Sequence, residues 1–419
     1  MVLKCFGEGS TKMIDFEKAL ELILSKAKII GKEFVSLEKS LSYVLAEDIV
    51  ATISNPPYNM AAMDGFALNS SLTKDASPSN PLKFKIVGSI YPGDKLKIKI
   101  GDFETVKIMT GSPLPPFFDS VIMKEEVQIK ENFIEIKRPI LKGENVRFKG
   151  EEFKKGDILI KKGTLLQVPH IGLLATIGKK KVRVYKKPKV SVIVTGNELL
   201  DIRERLKENK IYDSNSYLIF SALKNLFIEP VFMKRIKDDV ISLKKVFNKV
   251  LKISDIIIFS GGVSVGESDF VKEVFKIYGV KEVFWRVAIK PGKPIYFGIK
   301  GKKLVFGLPG NPVAVLLTFY LFVRPAILKI LGKEGEFIRK IKARTLKSLS
   351  KKIGRTEFLR GILKLNSNGE YVVLPTEKQE SYMLSGVIDA NCLILFEKEK
   401  DFIKEGEYVE VILLEWRNL

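Results

Sequence analysis

The sequence predicts an α/β plus β protein of several domains: a central parallel α/β module, an N-terminal β-rich lobe and a C-terminal β-barrel-like domain. Three observations carry that reading. Between residues 187 and 333, short apolar β-type runs alternate with helical patterns, which is how a parallel sheet covered on both faces reads. Residues 51–148 and 337–419 show short strands broken by Gly and Pro turns instead, the pattern of antiparallel lobes and small barrels or sandwiches. At 419 residues the chain also exceeds one ordinary domain, so about two to four are expected.

Residues 14–31 read as an amphipathic helix ended by Gly31, with a second short helix over 37–45. The lobe of 51–148 then offers strands at 84–87, 106–109, 120–123 and 133–136. Residues 14–50 and 149–186 form an N-terminal domain into which this lobe is inserted, with a helix near 170–177. A Lys-rich, Pro-containing connector over 179–189 leads into the module. There the expected order is strand 190–194, helix 214–227, strand 231–236, helix 240–251, strand 256–259 and helix 270–278. Strands around 282–289, 295–299 and 303–306 follow, then a helix over 313–331.

Composition narrows the chemistry. Two cysteines far apart (Cys5 and Cys392) and one histidine, His170, argue against a disulfide scaffold and a Cys/His metal cluster. A metal would need oxygen ligands, which points to Mg²⁺ beside phosphate. No apolar run reaches the ~18–20 residues that span a bilayer, the longest being 313–323. The first 13 residues lack a hydrophobic signal core, so a cytoplasmic location is expected, with no membrane partner. The net charge of +22 suits an anionic partner, but the lysines are spread along the whole chain with no aromatic-interleaved basic motif. Most of that charge reads as a lysine-rich surface. Nucleic acid is not expected as a partner.

Three Gly/Pro loops, each after an apolar run, are the strongest local signal. Ile256–Phe259 enters Ser260-Gly261-Gly262-Val-Ser264-Val-Gly266-Glu-Ser-Asp269. Val287-Ala-Ile enters Lys290-Pro-Gly-Lys293-Pro, and Leu304-Val-Phe enters Gly307-Leu-Pro309-Gly-Asn-Pro312. Glycines let backbone N–H groups approach an oxyanion, and a following helix N-terminus favours negative charge. Lys290 and Lys293, stiffened by prolines, read as oxyanion contacts. A site for a phosphorylated or otherwise anionic ligand at the carboxyl ends of parallel strands is expected.

Three acids border that rim. Glu198 follows the strand over 190–194, and Asp269 stands at the start of the helix over 270–278. Each is either a helix cap or part of an oxygen-rich site for hydrated Mg²⁺. Asp238 follows the run over 231–236 and reads more readily as a helix cap. In the β lobe, Asp64 and Thr110 lie in compact loops that are plain turns unless something brings them to the α/β cleft.

Taken in order, the segments Ala62-Met-Asp-Gly-Phe-Ala, Met109-Thr-Gly-Ser-Pro-Leu-Pro, Val146-Arg-Phe-Lys-Gly-Glu-Glu, Val194-Thr-Gly-Asn-Glu-Leu, Ile211-Tyr-Asp-Ser-Asn and the three loops resemble the molybdopterin molybdenumtransferases, the MoeA family, which includes the gephyrin E domain. The resemblance covers nearly the whole chain. It implies an elongated homodimer that inserts molybdate or tungstate into adenylylated molybdopterin, with Mg²⁺-dependent release of AMP. By the same resemblance, Glu198, Asp238 and Asp269 handle Mg²⁺ and phosphates, with Glu198 and Asp269 on the metal.

The resemblance further implies that Lys290 and Lys293 hold phosphate or molybdate oxygens. Ser260, Gly261, Gly262, Ser264, Gly266, Arg286, Pro309, Pro312, Arg360 and Ser381 complete the substrate contacts. Asp64 and Thr110 reach the cleft of the other subunit, which uses 14–50 and 149–186 for dimerisation. An adenylyltransferase of the same pathway is the expected protein partner. Two positions depart from the family pattern: Glu152 stands where an aspartate is common, leaving its role open, and Arg286 stands where lysine is common. Two rival readings are a molybdopterin adenylyltransferase, which shares the α/β module, and a non-enzymatic pterin-binding carrier or scaffold.

Overall fold

The structure is a computed structural model that describes residues 13–94, 99–262 and 270–414. The chain divides into two compact units. One holds Glu47–Lys162 and Pro169–Lys180, the other the segments up to Ala46, Gly163–Val168 and Lys181 onward.

The first of these units is built on a six-stranded sheet. Its order is Ser120–Met123, Gly65–Leu68, Glu104–Ile108, Leu82–Ile90, Phe133–Ile136 and Gln128–Lys130. Neighbours are antiparallel except Leu82–Ile90 with Glu104–Ile108. Strand alternation sends Ala67, Val106, Ile108 and Val121 into one apolar cluster and Phe66, Leu68, Phe84 and Ile122 into another. The sheet is therefore covered on both faces.

In the other unit the helix Phe16–Lys26 buries Phe16, Ala19 and Ile23, the apolar stripe that its spacing dictates. Phe16 packs edge-on against Phe322 and Phe358 at 5.6 and 5.0 Å. The helix ends five residues before Gly31, and the second expected helix is only a 3-10 turn, Leu37–Lys39. Between them lies an unexpected strand, Lys32–Ser36, paired with Lys181–Tyr185. Its partner is the lysine-rich connector, far away in the sequence, so no local pattern signals this strand.

The central sheet runs Phe232–Ile236, Val190–Thr195, Ile256–Ser260, Lys303–Leu308, Tyr296–Lys300 and Lys281–Trp285. Four strands pair in parallel, as expected, but Tyr296–Lys300 is antiparallel to both neighbours, so the sheet is mixed. The cause is local. Lys300 and Lys303 face each other across a two-residue turn with Gly301 at φ +59°, and two residues cannot cross over to a parallel neighbour. The run over 287–289 does not join this sheet either. Its strand is Ile289–Lys290, which pairs in parallel with Thr356–Leu365 of the C-terminal domain.

The helical stretch Pro312–Ile330, with a π-turn at Phe319–Val323, is long and apolar enough to cross a membrane, contrary to the expectation from contiguous apolar residues. In this structure 83% of its most apolar window is buried in the core. The C-terminal strands close on themselves: Thr356–Leu365, Tyr371–Pro375, Lys340–Thr345, Tyr408–Leu413, Cys392–Phe396 and back to Thr356–Leu365. This is a five-stranded barrel, which removes sheet edges.

Candidate functional site

A cavity of about 760 Å³ opens where Val190–Thr195, Ile256–Ser260 and Lys303–Leu308 end at their carboxyl termini. That is the rim where open α/β sheets bind ligands. All three Gly/Pro loops reach it, through Gly261 and Gly262, through Lys290 to Pro294, and through Pro309 to Pro312.

The first loop is glycine for steric reasons. Gly261 has φ +89°, and a Cβ there would lie 2.4 Å from the Thr195 carbonyl oxygen. At Gly262, φ +64°, a Cβ would meet Val271 Cγ2 at 2.6 Å and Asp238 Oδ1 at 3.3 Å. Ser260 is fully buried and does not line the cavity. Its hydroxyl accepts from Asn215 Nδ2 at 3.1 Å and donates to the Pro309 carbonyl at 3.2 Å, tying the first and third loops together. Ser264, Gly266 and Asp269 lie outside the described residues.

The acids sort differently from the sequence reading. Asp238 is not the helix cap; that role belongs to Asp239, whose carboxylate accepts from Ser242 N at 2.8 Å. Asp238 turns instead into the cavity, accepting from Thr195 Oγ1 at 2.9 Å, while its own N–H donates to Asn197 Oδ1 at 3.2 Å. Burial raises its pKa, the Thr195 hydroxyl opposes that, and the Glu198 charge adds to it. Glu198 lines the same cavity and caps no helix, because the chain continues as the strand Leu199–Leu200. Among the described residues no three His, Cys, Asp or Glu side chains gather as a ready metal cluster.

Lys290, Lys293 and Arg355 supply the cationic side chains of the lining. Lys290 Nζ lies 3.4 Å from Glu357 of the barrel, whereas the Lys293 amine makes no ion pair or hydrogen bond among the described residues. At Gly292, φ +109°, a Cβ would strike Thr318 Cγ2 at 2.5 Å, so the turn packs directly on the core helix. Pro312 occupies the first turn of that helix. Asn311 Nδ2 donates to Ser381 Oγ at 2.7 Å and Val313 N to the Ser381 carbonyl at 3.1 Å, which draws the C-terminal domain onto the rim.

Two assigned contacts fall elsewhere. Arg360 is 1% exposed and does not line the cavity. Its guanidinium donates to the carbonyls of Lys378 and Glu380 at 2.7 and 3.3 Å, and burial lowers its pKa to about 10. It therefore holds the loop that carries Gln379, Glu380, Ser381 and Tyr382, all of which do line the cavity. Arg286 lies outside the lining and stacks on Trp285 at 4.0 Å. Sequence reasoning missed Arg355, Asn215 and Gln379; only Asn215 sat in a quoted motif, and it carried no assigned role.

In the other unit, Thr110 N and Oγ1 both donate to Asp64 Oδ1 at 2.8 Å. Those two bonds hold the Asp64 carboxyl below its ordinary pKa. Asp64 and Thr110 are thus one constellation, joined across 46 residues of sequence. Glu152 is exposed and accepts from Asn55 Nδ2.

Comparison with known proteins matches three regions: the MoeA N-terminal region (domain I and II) over residues 14–178, a probable molybdopterin binding domain over 191–329, and the MoeA C-terminal region (domain IV) over 342–414. The chain is 37% identical to a molybdopterin molybdenumtransferase of Staphylococcus aureus over 402 residues, 96% of each chain. It is 35% identical to that of Haemophilus influenzae over 384 residues, 90% of this chain and 93% of the relative. Two solved molybdopterin biosynthesis MoeA proteins of Pyrococcus horikoshii superpose with TM-scores of 0.82 and 0.79, at 36% and 31% identity. They cover 96% of this chain and 99% and 100% of their own. The chain belongs to the MoeA family of molybdopterin molybdenumtransferases.

Proposed function

We infer that this chain is an enzyme of molybdenum cofactor synthesis that inserts molybdate into molybdopterin. The observation that carries the reading is one cavity lined by the carboxylates of Glu198 and Asp238, by Lys290 and Lys293, and by the first residues of the helix that begins at Pro312. The substrate is the adenylylated pterin, whose diphosphate link is cleaved to release AMP as the metal enters. Molybdate is a tetrahedral dianion that lysine and backbone N–H donors hold well. Diphosphate cleavage needs charge neutralisation more than a strong base, which suits these residues.

Mg²⁺ fits the donor set. Asp238 and Glu198 are hard oxygen ligands, and the raised pKa of Asp238 beside a second carboxylate marks negative charge that a divalent cation would offset. Those two residues would hold it, joined by Asp269 on the sequence reading. When bound, the ion supplies neutralisation of phosphate charge. Thr195 fixes the Asp238 carboxylate, Lys293 and Lys290 hold oxyanion oxygens, and the glycines let the backbone close on the substrate.

The test is incubation of purified protein with adenylylated molybdopterin, Mg²⁺ and molybdate, following AMP. Release that needs both ions is the expected result; tight binding without AMP would mean a carrier. Tungstate in place of molybdate settles the preference between the two oxyanions.

The active form we propose is a cytoplasmic homodimer, fed by an adenylyltransferase of the same pathway, in which Asp64 and Thr110 serve the partner's cavity. Asp64→Asn and Asp238→Asn chains would each be inactive alone. Unfolded and refolded together at equal amounts, they are expected to regain about one quarter of wild-type activity, because half of the dimers then hold one intact site of two. No recovery would refute the shared site.

A further inference from the structure

Lys290 and Lys293 belong to the same cavity turn, yet only one of the two amines is held. Lys290 Nζ lies 3.4 Å from Glu357 Oε2, while the Lys293 amine has no such partner among the described residues. The pairing begins in the backbone. Ile289–Lys290 runs parallel to Thr356–Leu365 with Lys290 directly opposite Glu357, and Thr356 N donates to the Ala288 carbonyl at 2.9 Å. Side chains opposite each other in a sheet leave the same face, so the register itself brings acid and amine together. Glu357 is 8% exposed and does not line the cavity, so it offers the substrate no contact of its own. Exposed ion pairs contribute little, but here the acid is nearly buried, where its charge is screened less.

A second ammonium acts on the same carboxylate. Lys351 Nζ is buried without a hydrogen-bond partner among the described residues and stands 4.9 Å from the centroid of the Phe396 ring. Burial lowers the Lys351 pKa, and the Glu357 charge is the foremost of the acidic charges that oppose this. Glu357 is thus tied to fixed charge within the C-terminal domain as well as to Lys290 at the cavity.

We propose that Glu357 is a positioning residue for the reaction: its carboxylate fixes the direction from which the Lys290 ammonium meets the substrate oxyanion. This rests on the function inferred above. An unrestrained lysine samples many rotamers, and ordering it on binding costs free energy that a lysine held in advance has already lost. Released from Glu357, Lys290 would keep its charge and still attract phosphate, but no longer from the productive position.

The experiment is a double-mutant cycle on the full-length protein, with kcat and KM read from AMP release by adenylylated molybdopterin. Glu357→Gln keeps the shape of the side chain and loses its charge. It is expected to lower kcat about three- to tenfold while KM stays unchanged or falls. In a Lys290→Ala background the same substitution is expected to change kcat by less than about twofold, because the group it positions is gone. Glu357→Asp, which keeps the charge one methylene short, should fall between Glu357→Gln and wild type. Equal loss in both backgrounds, or a rise in KM with kcat intact, would mean that Glu357 only supports packing and would overturn the proposal. Wild-type kcat in Glu357→Gln overturns it too. If Glu357→Gln fails to fold, Glu357→Asp carries the cycle by the same criteria. A wild type that releases no AMP overturns the enzymatic reading and this inference together. An active wild type whose cycle shows no coupling overturns this inference alone.

Discussion

Asp238→Asn is expected to lower kcat by about 100- to 1,000-fold, the usual loss when one charged group of a preorganised polar site is removed, and to raise the melting temperature. The second effect follows from linkage. Burial raises the Asp238 pKa, so the folded chain keeps this proton to higher pH than the unfolded chain does. Stability falls as pH climbs from the ordinary carboxylate range through the raised value, and above it the ionised side chain remains a cost to folding. Asparagine keeps an oxygen for the Thr195 hydroxyl without that charge. The variant's thermal advantage should therefore grow from acid to neutral pH. A variant that is active, or that melts below wild type at pH 7, would show that Asp238 supports the fold rather than the chemistry. Stability exchanged for activity is common where a site gathers like charges.

Lys293→Ala is expected to reduce kcat/KM by about 10- to 100-fold, the effect of losing one hydrogen bond to a charged group. Lys290→Ala should cost less, because the Lys290 amine is already shared with Glu357. Lys293→Arg should restore only part of the loss, since a planar guanidinium does not replace a compact ammonium inside a turn held by Pro291 and Pro294. Steady-state kinetics of the three variants against molybdate and against the adenylylated pterin checks the order. A larger loss at Lys290 than at Lys293 would mean that the Glu357 pair opens when substrate binds.

The legible part of the site was the part written in short contiguous segments. Gly261, Gly262, Lys290, Lys293, Pro309 and Pro312 announce loops after apolar runs, and the positive φ angles of Gly261 and Gly262 are a local reason for glycine there. Glu198 was found the same way, one turn beyond its strand. Spacing alone favours a cap for Asp238 and only the resemblance puts it in the cleft, because two adjacent aspartates precede the helix and local sequence does not say which of them caps it. The geometry gives Asp239 to Ser242 and frees Asp238 for Thr195, a residue 43 positions away. Arg360 was misplaced for a related reason: a charged residue on a strand gives no sign that its guanidinium will be spent on the carbonyls of its own domain.

Sequence by itself determined the family, the order of most strands and helices through the central module, and the three Gly/Pro loops that reach the cavity. Each of these depends on periodicity, turn chemistry and glycine sterics that act over a few residues. Tertiary structure decided what depends on distant partners. It sent Ile289–Lys290 to the barrel instead of the central sheet. It also joined Asp64 to Thr110 across 46 residues and turned Asp238 toward Thr195. Hydrogen-bond satisfaction and burial are properties of the whole packed chain, so no local pattern records them.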